Sequence, residues 1–451
     1  MLDLLIYLMY NHIYYNFQRN FMKKIILLST IASVALFATN GDLMMGHGVK
    51  ATGMGGVGIA VSHGAESIYS NPAMLKDVKG SEFVGSVTMF MPNVNFESNA
   101  GSNADPRMPA PTSSTSDADR SFLPEFAYAH RNNEHIVWGI GIGGTAGMGV
   151  DQKNKPSGAF GMQTELQVAK IGIPVAYTNG ALTLAVEPVL QYSTLEINYQ
   201  TQAGISNNPK STSTGFGVNF GMAYDMGNLT LGALYQSKIE ASYKDNISKA
   251  MGDFGVRSVT SGDSLDQPAE MGVGVAYKMG NNTFAMDLKK VGWSDVSGYE
   301  DFGWENQNIV AVGYQYKTPT WAFRAGYNHG KSPIQELDGS ATNPANYDNA
   351  AINFFNLAGF PAVVEEHFTV GGDYSVSDAL SLSFAFVYSP EVTETFDTTA
   401  MTYGMAYQGA LQQGFTQQQA AGGASQASAS GSTAEVKHSQ QALTLGMTYT
   451  F

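Results

Sequence analysis

The sequence predicts an all-β fold, a transmembrane antiparallel β-barrel of about fourteen strands. Three observations predict it: apolar side chains alternate with polar or small ones, the alternating segments number about fourteen, and short connections alternate with long ones. An even strand number, with short turns at one end and long loops at the other, is typical of outer-membrane barrels. A soluble sandwich also alternates, but it mixes connection lengths at both ends.

Composition excludes several other classes of protein. The chain has 451 residues, no cysteine and a formal net charge of -14. Disulfide scaffolds, thiol catalysis and cysteine-type zinc sites are therefore excluded. No nucleic acid is expected as a partner, because a nucleic-acid binder needs a basic face. Charged residues make up only 14% of the chain, against about a quarter in typical soluble domains, and this fits a large β-structure.

Residues 22–38 have the order of a secretory signal peptide. Two lysines after Met22 precede an apolar core and small residues, with cleavage expected after Ala38 or Ala35. Residues 1–21 precede a more natural start, and we expect them to be a mis-start extension. A membrane anchor is the alternative, but the apolar core is short for a span and is interrupted by Ser and Thr.

Through the rest of the chain, many segments alternate apolar residues with polar or small ones. Near the C-terminus Leu443, Leu445, Met447 and Tyr449 alternate with threonines and a glycine, which places the two sets on opposite faces of a strand. The predicted strands are 81–98, 121–131, 134–148, 161–178, 181–201, 213–227, 229–246, 268–280, 282–293, 306–318, 320–330, 364–377, 379–396 and 439–451.

The connections between these strands are of two kinds. Tight turns rich in Asn, Gly, Ser and Pro occur near 131–134, 178–180, 226–228, 280–282, 317–320 and 375–378. The long loops are 99–120, 247–267, 331–363 and 397–438. Residues 346–364 are unusually apolar for a loop, which leaves open a cargo-capture patch, lipid contact or contact with a neighbouring loop. Residues 408–434 form a low-complexity insertion that we expect to be partly helical.

Residues 39–80 do not alternate and instead are rich in glycine. Residues 53–58 match the dinucleotide-binding pattern G-x-G-x-x-G. We reject that interpretation because no strand precedes the pattern and no βαβ unit surrounds it. The glycines instead favour close backbone packing inside a confined lumen.

Here the sequence resembles a known family. Gly53 to Gly58, Ala60, Ala65 and the motif Asn71-Pro72-Ala73 look like the N-terminal hatch of the FadL/TodX family of outer-membrane transporters for long-chain fatty acids and hydrocarbons. Further likenesses in the same order are Trp138-Gly139, Gly292-Trp293-Ser294, the strand pair 309–316 and 321–327, and the final Phe451. The resemblance implies a fourteen-stranded barrel (81–451) with the hatch, or plug (39–80), folded into its lumen.

The resemblance also implies functional segments. The expected hatch and gate residues are Gly53, Gly55, Gly58, Asn71, Pro72 and Ala73. A lateral opening is expected at a kink of the third strand, where the glycines are Gly143, Gly144, Gly147 and Gly149. Glycine suits a bend or bulge there, and loose packing near a strand end is the alternative.

The sequence gives only candidate residues for the cargo path and for a site that binds the cargo head group. Candidates for the path are Met44, Met45, Met54, Arg324, Phe354 and Phe355. Methionine adapts to irregular apolar cargo, although methionines that simply pack the hatch are the alternative. Fatty-acid transporters of the family hold the carboxylate with a basic side chain on the fifth strand, where this chain has Glu196 and Tyr199 instead. Arg324 and Lys278 could replace it, or could be lumen charges paired with residues such as Glu187.

The predicted function is passive uptake of hydrophobic compounds, with no catalysis, no metal and no cofactor. The expected partners are the hydrophobic cargo, outer-membrane lipid and lipopolysaccharide, and the barrel-assembly machinery through Phe451. The expected location is the outer membrane of a Gram-negative bacterium. A general diffusion porin, an adhesin and an outer-membrane enzyme are alternatives, although the histidines are scattered and no G-x-S-x-G motif is present.

Overall fold

The structure is a computed structural model that describes residues 39–201, 204–206, 208–341 and 346–451. The expected mis-start extension (1–21) and signal peptide (22–38) lie outside the described residues.

Fourteen antiparallel strands form the wall, so the predicted fold class and strand number are confirmed. In chain order they are β1 (Ser81–Ser98), β2 (Ser121–Arg131), β3 (Ile136–Asp151), β4 (Gln163–Gly172 and Val175–Asn179), β5 (Leu182–Asn198), β6 (Ser211–Met226), β7 (Leu229–Gln236), β8 (Glu270–Met279), β9 (Asn282–Val291), β10 (Gln307–Lys317), β11 (Trp321–Gly330), β12 (Glu366–Ser375), β13 (Leu380–Asp397) and β14 (Thr433–Thr450).

The sheet closes on itself. Each strand pairs with the next along the chain, and β14 pairs with β1 over a long register that runs from Ala434↔Ser98 to Thr450↔Glu82. The outward side chains are large and apolar; on β8, for example, Val273 is 56% exposed, whereas the inward position beside it is Gly274. Alternation of this kind gives the barrel an apolar exterior and frees its interior for other contents.

Residues 39–80 lie inside the ring of strands. They comprise a hairpin of two short strands (Thr39–Asn40 and Leu43–Met44), the helix α1 (Gly48–Thr52) and two 3₁₀ turns (Gly64–Ile68 and Pro72–Asp77). Most of their side chains are buried. Residues 39–44 form the hairpin, and the whole segment 39–80 is the hatch.

Short turns close one end of the barrel and loops cover the other. The loops contain five helices among the described residues: α2 (Ala100–Ala104), α3 (Ile247–Asp253), α4 (Asn346–Gly359), α5 (Thr399–Gln412) and α6 (Gln417–Ala427). Helix α6 begins with a capping box in which Thr416 and Gln419 satisfy each other's backbone N–H groups. No helix in the described part of the chain is long and apolar enough to cross a membrane.

Several predicted strand boundaries are wrong. Strand β7 ends at Gln236 rather than at 246, because Ile239 packs over β6, where a Cβ on Gly217 would lie 2.7 Å from its Cγ1. Strand β9 ends at Val291, and Trp293–Asp295 form a 3₁₀ turn. Strand β14 begins at Thr433 rather than at 439, because its first residues already pair with both neighbours, so the last loop is shorter than 397–438.

Candidate functional site

Much of the hatch packs against wall positions that have no side chain. Inward glycines of several strands would, if they carried a Cβ, press against hatch atoms; among them are Gly221, Gly232, Gly274, Gly313, Gly326, Gly371 and Gly446. The hatch glycines are placed in the same way. A Cβ on Gly53 would lie 3.1 Å from the Cα of Gly371, and one on Gly55, at φ +73°, would lie 2.8 Å from the Tyr327 nitrogen. The close approach of two backbones therefore explains both sets of glycines.

Backbone N–H groups of the glycine-rich hatch segment donate to side chains of the wall. Gly58 and Ile59 both donate to Asp287 Oδ2, at 2.8 and 3.0 Å, and Gly55 donates to Thr369 Oγ1 at 2.8 Å. Backbone N–H groups at Gly55 and Gly58, in the segment that matched the dinucleotide pattern, thus donate to carboxylate and hydroxyl groups of the barrel wall. Gly58 also packs against the hatch itself, since a Cβ there would lie 2.6 Å from Ser70 Cβ.

The Asn71-Pro72-Ala73 motif anchors the last part of the hatch. Asn71 is fully buried, and its Nδ2 donates to the carbonyl oxygens of Ile59 at 2.7 Å and Met222 at 3.1 Å. Its Oδ1 accepts from the Ala73 N–H at 3.0 Å, with Pro72 at the first position of the turn. The motif therefore fixes a hatch turn to strand β6.

The ladder between β2 and β3 is incomplete. It runs from Arg131↔Val137 to Glu125↔Gly143 and stops there. Pro124, which has no N–H to donate, stands in β2 where the ladder stops. Above this point β3 pairs only with β4 among the strands of the wall, with a bulge between Gly144 and Ala146. Above Glu125 and Gly143, therefore, no ladder hydrogen bonds join β2 to β3.

Beyond the bulge, β3 departs from the alternation of the other strands. Residues 145–150, which include Gly147 and Gly149, are buried on both faces. Met148 and Val150 join the apolar cluster beneath the loops. Residues 145–150 are therefore covered on both sides, whereas the other strands expose one face. Of the four glycines expected at the kink, Gly144, Gly147 and Gly149 lie on the part of β3 that has no partner in β2, and Gly143 lies in the last pair before it.

The hairpin of the hatch covers this part of β3 from inside. Leu43 is the bridge partner of Ala146, and the Gly147 N–H donates to the Asp42 carbonyl oxygen at 2.9 Å. At the other end of the hairpin the Thr39 N–H donates to Gln440 Oε1 at 3.2 Å. The hairpin supplies the backbone partner that β2 does not.

The loops hold the hairpin through Asp42. The Tyr299 hydroxyl donates to Asp42 Oδ2, and Gln267 Nε2 donates to the same oxygen at 3.0 Å. Burial raises the pKa of Asp42 to about 6, although both hydrogen bonds act to lower it. The indole ring of Trp293, also fully buried, covers Gly41, where a Cβ would lie 2.5 Å from Trp293 Cζ2.

An aromatic cluster fills the loop end of the lumen. The two phenylalanines of helix α4, Phe354 and Phe355, are 1% and 3% exposed, so the apolar segment 346–364 contacts neighbouring loops and the wall rather than lipid. A cavity of about 20 Å³ within the cluster is lined by Met148, Tyr299 and Phe355, among others. The cavity therefore touches the kinked strand β3 on one side and the residue that holds Asp42 on the other.

The three methionines of the predicted path differ in environment. Met44 and Met45 line a lumen cavity of about 70 Å³ between the hairpin and the wall. Met54 is fully buried in a small cluster that joins the hatch to the alanines of β8, β9 and β10, so it packs the hatch. This cavity of about 70 Å³ and the cluster cavity of about 20 Å³ are both smaller than the roughly 150 Å³ that admits a benzene ring.

The lumen charges are arranged differently from the sequence-based expectation. Arg324 is paired, but with Asp373, at 2.8 and 2.5 Å, rather than with Glu187, which accepts from Asn219 Nδ2 at 2.8 Å. Lys278 lies in a separate chamber at the turn end.

On the fifth strand Glu196 accepts from Asn198 Nδ2 at 2.8 Å. Just beyond the strand, Tyr199 donates to Asp253 Oδ2 at 2.7 Å. Neither offers a cation to a carboxylate. No group of three metal-ligating side chains occurs among the described residues.

Sequence reasoning missed Asp42, Tyr299 and Lys170. Lys170 lines the 70 Å³ cavity opposite Gly143, where the carboxylates of Glu187 and Glu270 attract it. The clustering of aromatic residues in 293–304, which holds two of the chain's four tryptophans, was a signal that could have pointed to Tyr299.

Comparison with known proteins now bears on this geometry. The model of the family described as outer membrane protein transport protein (OMPP1/FadL/TodX) matches residues 25–349. The chain belongs to this family. It is therefore a member of a family of outer-membrane transport barrels and not of an enzyme family. A search of curated protein sequences finds no match.

Solved structures share the fold of this FadL/TodX family member. A Pseudomonas aeruginosa FadL homologue aligns with a TM-score of 0.63 at 15% identity, covering 91% of this chain and 99% of the other. The Pseudomonas putida toluene transporter TodX gives 0.60 at 15% identity, with 92% and 100% coverage. The Ralstonia pickettii toluene transporter TbuX gives 0.57 at 15% identity, with 90% and 99% coverage.

Proposed function

We propose that this protein takes up hydrophobic compounds across the outer membrane of a Gram-negative bacterium and releases them sideways through the wall between β2 and β3. The observation that carries the proposal is the incomplete β2–β3 ladder, covered from inside by the hairpin. An incomplete ladder that a hatch element covers from inside suits lateral release of a cargo that is more soluble in lipid than in water.

Capture takes place in the aromatic cluster at the loop end. Each buried CH₂ contributes roughly 0.8 kcal/mol, so complete burial of a chain of about fifteen would give on the order of 12 kcal/mol and would hold the cargo too tightly to release. The small cavities along the lumen support a series of weaker, partial sites that open as the hatch moves.

Tyr299 links capture to release. Its ring lines the cluster cavity and its hydroxyl holds Asp42. Cargo that enlarges the cavity displaces the ring, removes the hydrogen bond and frees the hairpin from Ala146. We assign gating to the hairpin, and to the Asn71-Pro72-Ala73 motif the role of the anchor that stays in place.

Neutral hydrocarbons fit the lumen better than fatty acids. Arg324 is neutralised by Asp373, and Lys170 shares its cavity with the carboxyl groups of Glu187 and Glu270, so a cargo carboxylate would have to compete with acidic side chains at either cation. Two of the similar structures are toluene transporters, which supports the same choice of cargo.

The exterior supports the remaining partners. Apolar side chains around the wall, such as Phe216 at 79% exposed, provide contacts for outer-membrane lipid, with lipopolysaccharide at the loop end. Phe451 is 73% exposed beside Tyr449, where the barrel-assembly machinery can reach it.

Paired cysteines test the gate, because the chain has no cysteine of its own. In the variant L43C/A146C the two residues are direct bridge partners, and antiparallel partners lie within the roughly 4.4–6.8 Å Cα separation of disulfides. We expect oxidation to stop uptake of a monoaromatic hydrocarbon by cells that otherwise lack the protein, and reduction to restore it.

The control variant V49C/G446C joins helix α1 to β14 and leaves the hairpin free. A Cβ on Gly446 would lie 2.5 Å from Val49 Cγ2, close enough for a disulfide. Oxidised V49C/G446C should keep most of its uptake. Full uptake by oxidised L43C/A146C would refute gating by the hairpin, and unchanged hydrocarbon uptake on deleting the protein would refute the transport function.

A further inference from the structure

A second, larger chamber lies at the turn end of the lumen, on the far side of the hatch from the aromatic cluster. Its volume is about 620 Å³. Its lining has five basic side chains against two acidic ones, in a protein whose net charge is -14. The basic residues are Lys50, Lys79, Lys278, Lys317 and Arg324, and the acidic ones are Asp77 and Glu82.

The two acidic side chains and Arg324 already have partners. Asp77 lies 3.2 Å from Lys76, Glu82 lies 4.0 Å from Lys50, and Arg324 is held by Asp373. Among the described residues, by contrast, no carboxylate lies within ion-pair distance of Lys79, Lys278 or Lys317. Lys50 and Arg324 repel the ammonium of Lys317, whereas the more distant carboxylates of Asp373 and Glu82 attract it. The chamber therefore holds an excess of positive charge.

The unpaired cations come from both sides of the boundary between hatch and wall. Lys79 belongs to the last part of the hatch, whereas Lys278 and Lys317 lie at inward positions near the turn ends of β8 and β10. A low-dielectric wall around a chamber lined by one sign of charge concentrates ions of the opposite sign. An anion with more than one charged oxygen can contact cations on both sides.

We propose that this chamber binds a small multivalent oxyanion, a phosphate or a polycarboxylate, which bridges the hatch to the wall. The bound anion stabilises the seated hatch, because it lowers the free energy of the state in which Lys79 lines the same chamber as Lys278 and Lys317. This site is separate from the cargo path, so it stands or falls independently of hydrocarbon uptake.

Isothermal titration of the full folded barrel in zwitterionic detergent tests the site. Inorganic phosphate is titrated in one arm and citrate in another, at constant ionic strength and pH. We expect at least one of the two to bind saturably to the wild type, and K278Q/K317Q to weaken it by about tenfold or more. The matched control K153Q/K244Q removes the same charge from two exposed lysines of the loop end and should bind like the wild type.

Hydrogen exchange supplies a second readout that is specific to the hatch. The Ala65 N–H donates to Glu82 Oε1 at 2.8 Å across the same boundary, and its protection should rise when the anion binds. Saturable binding by one arm alone identifies which oxyanion the site takes. Identical isotherms for the three proteins, or no binding in either arm, would overturn the proposal.

Discussion

The substitution Tyr299→Phe isolates the contact between the loops and the hatch. It removes only the hydroxyl that donates to Asp42 and keeps the aromatic ring in its cluster. A hydrogen bond to a charged group contributes roughly 1.5–3 kcal/mol, so undocking of the hairpin should become about 10- to 100-fold more frequent. Asp42 retains only its bond from Gln267.

Hydrogen exchange measures this change directly. The Gly147 N–H donates to the Asp42 carbonyl oxygen only while the hairpin is docked, so its protection should fall by the same factor, and hydrocarbon uptake should become faster. Tyr243→Phe is the matched control, because Tyr243 is equally buried but donates to Ser193 Oγ at 2.8 Å. If Gly147 is protected equally in Tyr299→Phe and wild type, Asp42 and Tyr299 do not hold the gate.

Three further predictions follow from the same contacts. Burial raises the pKa of Asp42 from 3.8 to about 6, so the docked hairpin binds more protons than the free hairpin. Docking should therefore weaken as the pH rises from about 4 to 6 and then level off. The variant Asp42→Asn should remove this pH dependence of Gly147 exchange. Gly313→Ala places a Cβ 2.6 Å from the Met54 oxygen and should displace the hatch, raising single-channel conductance, whereas Gly422→Ala, with open space around it, should not. Asn71→Ala removes the side-chain partner of the Ile59 carbonyl oxygen and of the Ala73 N–H, at about 1–3 kcal/mol for each buried group left unpaired. Exchange at Ala73 should increase while the barrel still assembles, and unchanged exchange would remove the anchoring role.

Much of the fold could be predicted from the sequence because a barrel wall has a local signature. The bounds of β1 and β2 agree with the predicted strands 81–98 and 121–131, since alternation and turn residues are both local. Beyond Gln236 the alternation continues, and Ile239 is still buried, but its partner is a loop residue. Alternation alone does not distinguish a wall strand from a segment that packs on top of one.

The site was predictable only in part. The glycines of the third strand indicated a kink, and they lie where β3 leaves its ladder. Pro124 inside a predicted strand was an additional signal that one side of β2 lacks a partner. The bond from Tyr299 to Asp42, in contrast, joins residues 257 positions apart, and no local pattern reports a contact at such separation.

Photo-crosslinking with a diazirine-bearing hydrocarbon tests the sideways route most directly. We expect a protein with a freely undocking hairpin, such as Tyr299→Phe, to be labelled at the margins of the β2–β3 opening, on 121–125 and 144–150, and the oxidised L43C/A146C variant to lose that label. Label confined to the turn-end chamber around Lys278 and Lys317 would show that cargo passes straight along the lumen, and would contradict the account.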